Sequence, residues 1–200
     1  LNGVLDADLL PTQVDFSLPA LKIVERKNEV NVKEVSLNFK TDQTDSGLQL
    51  GNGSFKIGQI GVMAEGSSKV MLKGLELVSS GKEQDGLVTT TVHSRINQLA
   101  VNEVVPGENL DLSYAGDLEF RRLDAQAVLD IQKTMRDMRK QLQAGTISEE
   151  MLGIVIVGKL MEMAPKLLAK SPEIALSQLS LKTTEGELRG EVTVSIDGKR

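Results

Sequence analysis

The chain has 200 residues, of which 40 % are hydrophobic and 26 % are charged, with 23 Lys and Arg against 28 Asp and Glu. This composition is typical of a globular chain with a core and excludes collagen-like, low-complexity and fully disordered classes. With a net charge of −5 and only four Phe and one Tyr, neither the cations nor the stacking rings that nucleic-acid binding uses are abundant in the chain. We therefore expect one domain over residues 1–200 and no nucleic-acid partner.

The content of cysteine and histidine limits the chemistry further. The chain has no cysteine and a single histidine, His93, which excludes disulfide frameworks, thiolate nucleophiles and the usual zinc sites. We expect no metal and no cofactor. No segment reaches the roughly 18 apolar residues that a membrane span requires. The sequence starts at Leu1 rather than at methionine, so we expect it to be part of a longer protein.

Residues 12–123 show a period of two. Apolar and polar residues alternate over 14–18, 35–39 and 110–114, a pattern typical of antiparallel strands with one buried and one wet face. About ten strands are predicted in all, over about 12–123 and 174–197. The turns between them are predicted from glycine, asparagine and proline at these segments: Gly51–Ser54, Ser79–Gly86, Pro106–Asn109, Ala115–Asp117 and Glu185–Gly186.

Residues 124–170 follow a helical period instead. Asp124 is placed to cap a first helix that ends at Gly145, and a second helix, apolar over most of its circumference between Met151 and Leu168, follows almost at once. Pro165 should kink or end the second helix after Ala164. The short link predicts an αα-hairpin. The predicted fold is therefore α+β: a long, curved antiparallel β-meander interrupted by one αα-hairpin packed on the sheet.

The predicted hairpin also carries the candidate contact site. Five of the seven methionines lie in it, and flexible thioether side chains either fill gaps in a core or line adaptable apolar sites. We take core packing as one interpretation and an apolar contact or ligand surface as the other. The candidate surface consists of Met135, Met138, Met151, Ile154, Val155, Met161 and Met163.

Other polar features give little support for catalysis. His93 is predicted to be a solvent-facing strand residue, on the face of the strand opposite to that of Val92. The carboxylate pairs are expected in turns or at helix starts for conformational reasons, and we predict no catalytic residue. These pairs are Asp42 with Asp45, Asp111 with Asp117, and Glu149 with Glu150. Residues 121–140 carry six cations against three aspartates, which either complement the helix dipole or contact an anionic lipid surface or acidic partner.

The segment Ser171–Gly186, following a helical hairpin and a meander rich in Leu-x-Leu and glycine, resembles the YdgA-like family of Gram-negative proteins of unknown function. Phe16–Pro19 and Val70–Leu75 also resemble that family. The resemblance implies a part of an envelope protein with its bulk in the periplasm and an anchor in the inner membrane. It supplies no catalytic residues.

From these observations we expect a non-enzymatic periplasmic binding or scaffold domain with an apolar surface for lipid or protein. An uncovered sheet edge also favours self-association or contact with another envelope protein. The alternative is a carboxylate-dependent hydrolase acting on envelope glycans, which requires two acidic side chains about 5–10 Å apart in a concave site.

Overall fold

The computed structural model describes residues 1–5, 11–105, 108–146 and 149–198. Within this part of the chain, nine strands form one antiparallel sheet in which each strand pairs with the next in sequence. The strands are β1 Asn2–Leu5, β2 Pro11–Glu25, β3 Asn28–Gln43, β4 Gln49–Ala64, β5 Ser67–Gln84, β6 Leu87–Val105, β7 Glu108–Asp124, β8 Glu173–Thr183 and β9 Glu187–Ser195. The predicted antiparallel meander is confirmed.

Two helices interrupt the sheet between β7 and β8: α1, Ala125–Gln143, and α2, Glu149–Leu168. Asp124 caps α1 as predicted, because its Oδ1 accepts a hydrogen bond from the Ala127 amide at 2.9 Å. Gly145 follows the helix end with φ of +68°, a conformation that favours glycine. Pro165 does not end the second helix, because it lies inside α2, which continues to Leu168; the alternative prediction, a kink at Pro165, stays a prediction.

The two helices contact each other, and both contact β7. Lys166 Nζ, near the end of α2, lies 3.4 Å from Asp130 Oδ2, near the start of α1. The amide groups of Gln132 and Gln49 join α1 to the start of β4: Gln49 N donates to Gln132 Oε1 at 3.0 Å and Gln132 Nε2 donates to Gln49 O at 2.9 Å. The packing of the helices as a hairpin on the sheet stays a prediction.

The strands are longer than the turn signals predicted, because several glycine-rich segments lie within strands. Residues 51–54, predicted as a hairpin turn, lie inside β4, where Gly53 pairs with Phe39 and with Ser79. Residues 79–84 belong to β5, and only Asp85 and Gly86 form the turn, both with positive φ. Residues 115–117 lie inside β7, whereas Pro106 and Gly107 lie outside the described residues.

The ladder is interrupted at the same level in five neighbouring strands. Residues at this level are skipped in the pairing: Pro19, Glu34, Gly58, Gly74 and Asn97. Glu34 and Gly74 have φ of +56° and +62°. A Cβ on Gly74 would stand 2.1 Å from Asn97 Nδ2, so the side chain of Asn97 occupies the space beside this glycine. At this level the apolar alternation also changes phase by one residue, for example from Leu18 to Leu21 in β2.

The buried core is small and lies at one end of the sheet. It consists of Leu48, Val88, Ala125 and Leu129, with Leu50, Leu123 and Val128 packed against it. The exposed area of the chain is 13234 Å², whereas a compact monomer of this mass exposes about 9,200 Å². A surface of about 4,000 Å² more than that of a compact monomer indicates that much of the sheet has no second layer over it.

Candidate contact surface

One face of the sheet is apolar across eight strands. Residues that pair directly across a ladder point to the same side, and residues two apart in a strand share that side. These two rules place three adjacent rows on one face, which we call the apolar face. Its first row is Val14, Phe39, Gly53, Ser79, Val92, Leu118, Leu176 and Val192; its second is Phe16, Leu37, Phe55, Leu77, Ser94 and Gly116; its third is Leu18, Val35, Ile57, Leu75, Ile96, Tyr114, Leu181 and Leu188.

The apolar face contains no Asp, Glu, Lys, Arg or His, and its large side chains are only partly covered. Leu37 and Leu77, in the middle of the face, are 37 % and 38 % exposed, and Leu188 and Val192 on β9 are 60 % and 56 % exposed. Four of the five aromatic residues of the chain lie on the apolar face, and Phe120 lies two residues beyond Leu118 on the same side. All five aromatic side chains therefore lie on one side of the sheet.

Two polar side chains on the apolar face, Ser94 and Tyr114, are paired with each other. Ser94 Oγ lies 3.1 Å from the Tyr114 hydroxyl and 3.1 Å from the carbonyl oxygen of Gly116. A Cβ on Gly116 would stand 2.8 Å from the Tyr114 hydroxyl, so the ring lies over the glycine. Since these groups already have partners, an apolar layer can cover them without leaving them unsatisfied.

The opposite face of the same strands is polar. Lys56 and Glu76 pair across β4 and β5 at 2.7 Å, and His93 Nδ1 contacts Asp117 Oδ1 across β6 and β7. His93 thus lies opposite Val92, on the wet side of the sheet. The two faces differ sharply, and the apolar face is the one without a charge.

The Lys56 ammonium, which donates a hydrogen bond to Glu76, holds the pKa of that carboxyl below its usual value. A lowered pKa means that the pair stabilises the fold above the pKa of the unfolded carboxyl and that this contribution is lost as the pH falls through the folded value. We expect Lys56→Met to raise the pKa of Glu76, which an NMR titration of its side-chain carboxyl would measure. Lys27→Met, in the β2–β3 turn, is the control, and an unchanged Glu76 pKa in Lys56→Met would contradict the assignment.

The predicted methionine surface divides into buried and exposed members. Met138 and Met163 are 5 % and 7 % exposed, whereas Met135 and Met161 are 45 % and 73 % exposed. Val155 is half-buried, and the side chains of Met151 and Ile154 lie outside the described part of the structure.

Met135, Met138 and Met163 meet in the space between α1 and α2. The room left between the surrounding side chains is about 10 Å³, which holds no ligand larger than a water molecule. These three methionines of the predicted surface therefore pack between the two helices. Among the described methionines of the predicted contact surface, Met135 and Met161 are the exposed ones.

Asp111 and Asp117, one of the carboxylate pairs considered for catalysis, lie apart and each has another partner. Asp111 and Asp117 lie six residues apart on β7, which is about 20 Å in a strand. Asp111 accepts from Gln98 Nε2 at 2.9 Å, and Asp117 faces His93. A glycosidase pair stands within about 10 Å, so this pair does not have the required geometry.

The cations at the start of the predicted basic region also have partners. Arg121 Nε lies 2.5 Å from Glu119 Oε2, and Arg122 lies 3.7 Å from Glu173. The pKa of the Arg121 guanidinium is raised, because Glu119 accepts its hydrogen bond. The Arg122–Glu173 pair joins β7 to β8 across the helical insertion, whereas the Arg121–Glu119 pair lies within β7.

The fold defines an α+β protein built on one open antiparallel meander with a helical insertion. The chain belongs to a bacterial family of unknown function (DUF945), whose family model matches residues 1–200. Comparisons with curated proteins and with solved structures found no match. None of the helices in the described residues is long and apolar enough to cross a membrane.

Proposed function

We propose that this chain is a non-enzymatic binding or scaffold domain that acts through the apolar face. The observation that carries the proposal is the row Phe16, Leu37, Phe55 and Leu77 across four strands, which contains no ionisable residue and in which Leu37 and Leu77 are half-exposed and the two phenylalanines are partly covered. Contiguous apolar surfaces of this size mark protein or lipid contact sites. In the proposal the helices pair as a hairpin and close the end of the sheet where Val88 is buried.

The resemblance to the YdgA-like family supports a finer proposal about location. The domain would lie in the periplasm of a Gram-negative bacterium, within a protein anchored to the inner membrane. The absence of cysteine from the chain is compatible with an oxidising compartment, since no thiol is present to oxidise there. Fractionation of cells that express the full-length protein tests the location, and recovery in the cytoplasm would contradict it.

Photo-cross-linking in living cells tests the use of the apolar face. A benzophenone amino acid at Phe55 points to the apolar face, and the same group at the adjacent Lys56 points to the polar face of the same strand. We expect adducts from position 55, protein or lipid by mass, and few from position 56. Equal yields from both positions, or adducts from position 56 alone, would refute the proposal.

A further inference from the structure

We propose that a second copy of this chain covers the apolar face, so that the two sheets pack as the layers of a β-sandwich. This inference rests on the proposed function and names the occupant of the same surface. A sheet with one apolar side is stable in water only when a second layer covers that side. In this chain the helices contribute to burial at the Val88 end, whereas Leu37 and Leu77 stay half-exposed.

The size of the apolar face matches what a stable dimer requires. Rows two residues apart stand about 7 Å apart and neighbouring strands about 4.8 Å apart. The 22 residues of the three rows, each occupying about 7 Å by 4.8 Å, therefore cover about 740 Å² on each copy. Stable specific interfaces bury about 800 Å² per partner.

The chemistry of the face favours an identical partner. In a two-fold interface the same patch meets itself, so any charge on it would face a like charge nearby. The three rows contain no Asp, Glu, Lys, Arg or His, and the Tyr114 and Ser94 hydroxyls are already paired with each other. The face can thus meet its own copy without repulsion and without unsatisfied hydroxyl groups at this point.

The form of the face disfavours a single lipid as the occupant. Small-molecule sites are concave and enclose most of the ligand surface. Here the rows lie on one layer, and side chains such as Leu37 are covered only by their neighbours in the sheet. An acyl chain on such a surface would stay exposed on its outer side, whereas a second sheet packs at about 10 Å along the whole face.

Sedimentation equilibrium of the purified chain tests the dimer. We expect twice the 21.7 kDa mass of one chain for the wild type, and a single-chain mass for Phe55→Arg. Ser54→Arg places the same charge one residue away on the polar face and should stay dimeric. A monomeric wild type, with or without bound lipid, would overturn the proposal, as would a dimer that persists in Phe55→Arg or is lost in Ser54→Arg.

A second measurement does not depend on a charged substitution. Because the chain has no native cysteine, Leu37→Cys reports on the apolar face alone and Ser36→Cys on the polar face. At high protein concentration we expect maleimide to label Leu37→Cys about tenfold more slowly than Ser36→Cys, since the interface excludes water. This difference should vanish on dilution. Equal labelling rates at all protein concentrations would overturn the dimer. In that case, cross-linking in cells from position 55 to another protein or to lipid would still support the proposed contact function.

Discussion

Replacing Leu48 by alanine is expected to lower the free energy of unfolding by about 2–5 kcal/mol. Leu48 is fully buried, and with Val88 it is the largest side chain enclosed in the described part of the chain. It packs with Ala125 and Leu129 of α1, so its loss leaves a cavity where the helix meets the sheet. A core of so few side chains has little else to fill that cavity.

Urea denaturation followed by circular dichroism, at one fixed protein concentration, measures this effect. Leu21→Ala makes the same chemical change at a side chain that is 45 % exposed and should cost about 1 kcal/mol or less. Similar losses in the two variants would show that the fold does not depend on the core at the end of the sheet.

The meander was predictable because alternation and helix capping are local signals. Val14, Phe16 and Leu18 alternate within a few residues, and Asp124 caps α1 through the Ala127 amide three residues away. Such patterns depend on neighbours in sequence and need no knowledge of distant contacts.

The length of the strands could not be predicted from the same signals. Asn52 and Gly53 suit a tight turn, yet the structure pairs them with Lys40 and Phe39 inside β4. Gly53 fits there for a different reason: a Cβ would stand close to its neighbours, 3.1 Å from Ser79 Oγ and 3.4 Å from Phe39 Cβ. Close packing between neighbouring strands can favour glycine as a turn does, and sequence alone does not separate the two causes.

The apolar face of the sheet could not be predicted from the sequence, for a related reason. Alternation shows that one side of each strand is apolar, but it does not show what covers that side. The alternation in residues 12–123 therefore predicted strands with one buried face, and the contact surface predicted on the helices stays a prediction. In the structure Met138 and Met163 are buried between the helices, whereas Leu37 and Leu77 on the sheet are half-exposed.

Replacing Gly51 by alanine is expected to destabilise the fold by about 3 kcal/mol. A Cβ at this position would stand 1.9 Å from the Lys40 carbonyl oxygen and 2.7 Å from Thr41 Cα. Both are backbone atoms of β3, and Thr41 pairs with Gly51 in the ladder. Relief of the overlap requires the two strands to separate close to Leu48, so the cost includes ladder hydrogen bonds and core contacts.

Gly158→Ala provides the matched control for the same chemical change, measured by urea denaturation at the same protein concentration. Gly158 is exposed in α2, and a Cβ there would meet no atom within 4 Å. Alanine is a better helix former than glycine by about 1 kcal/mol, so this variant should be more stable than the wild type. If Gly51→Ala lowers the free energy of unfolding and Gly158→Ala raises it, the contact between β3 and β4 is what requires glycine at position 51. A Gly51→Ala variant as stable as the wild type would show that the strands do not approach as closely as the structure places them.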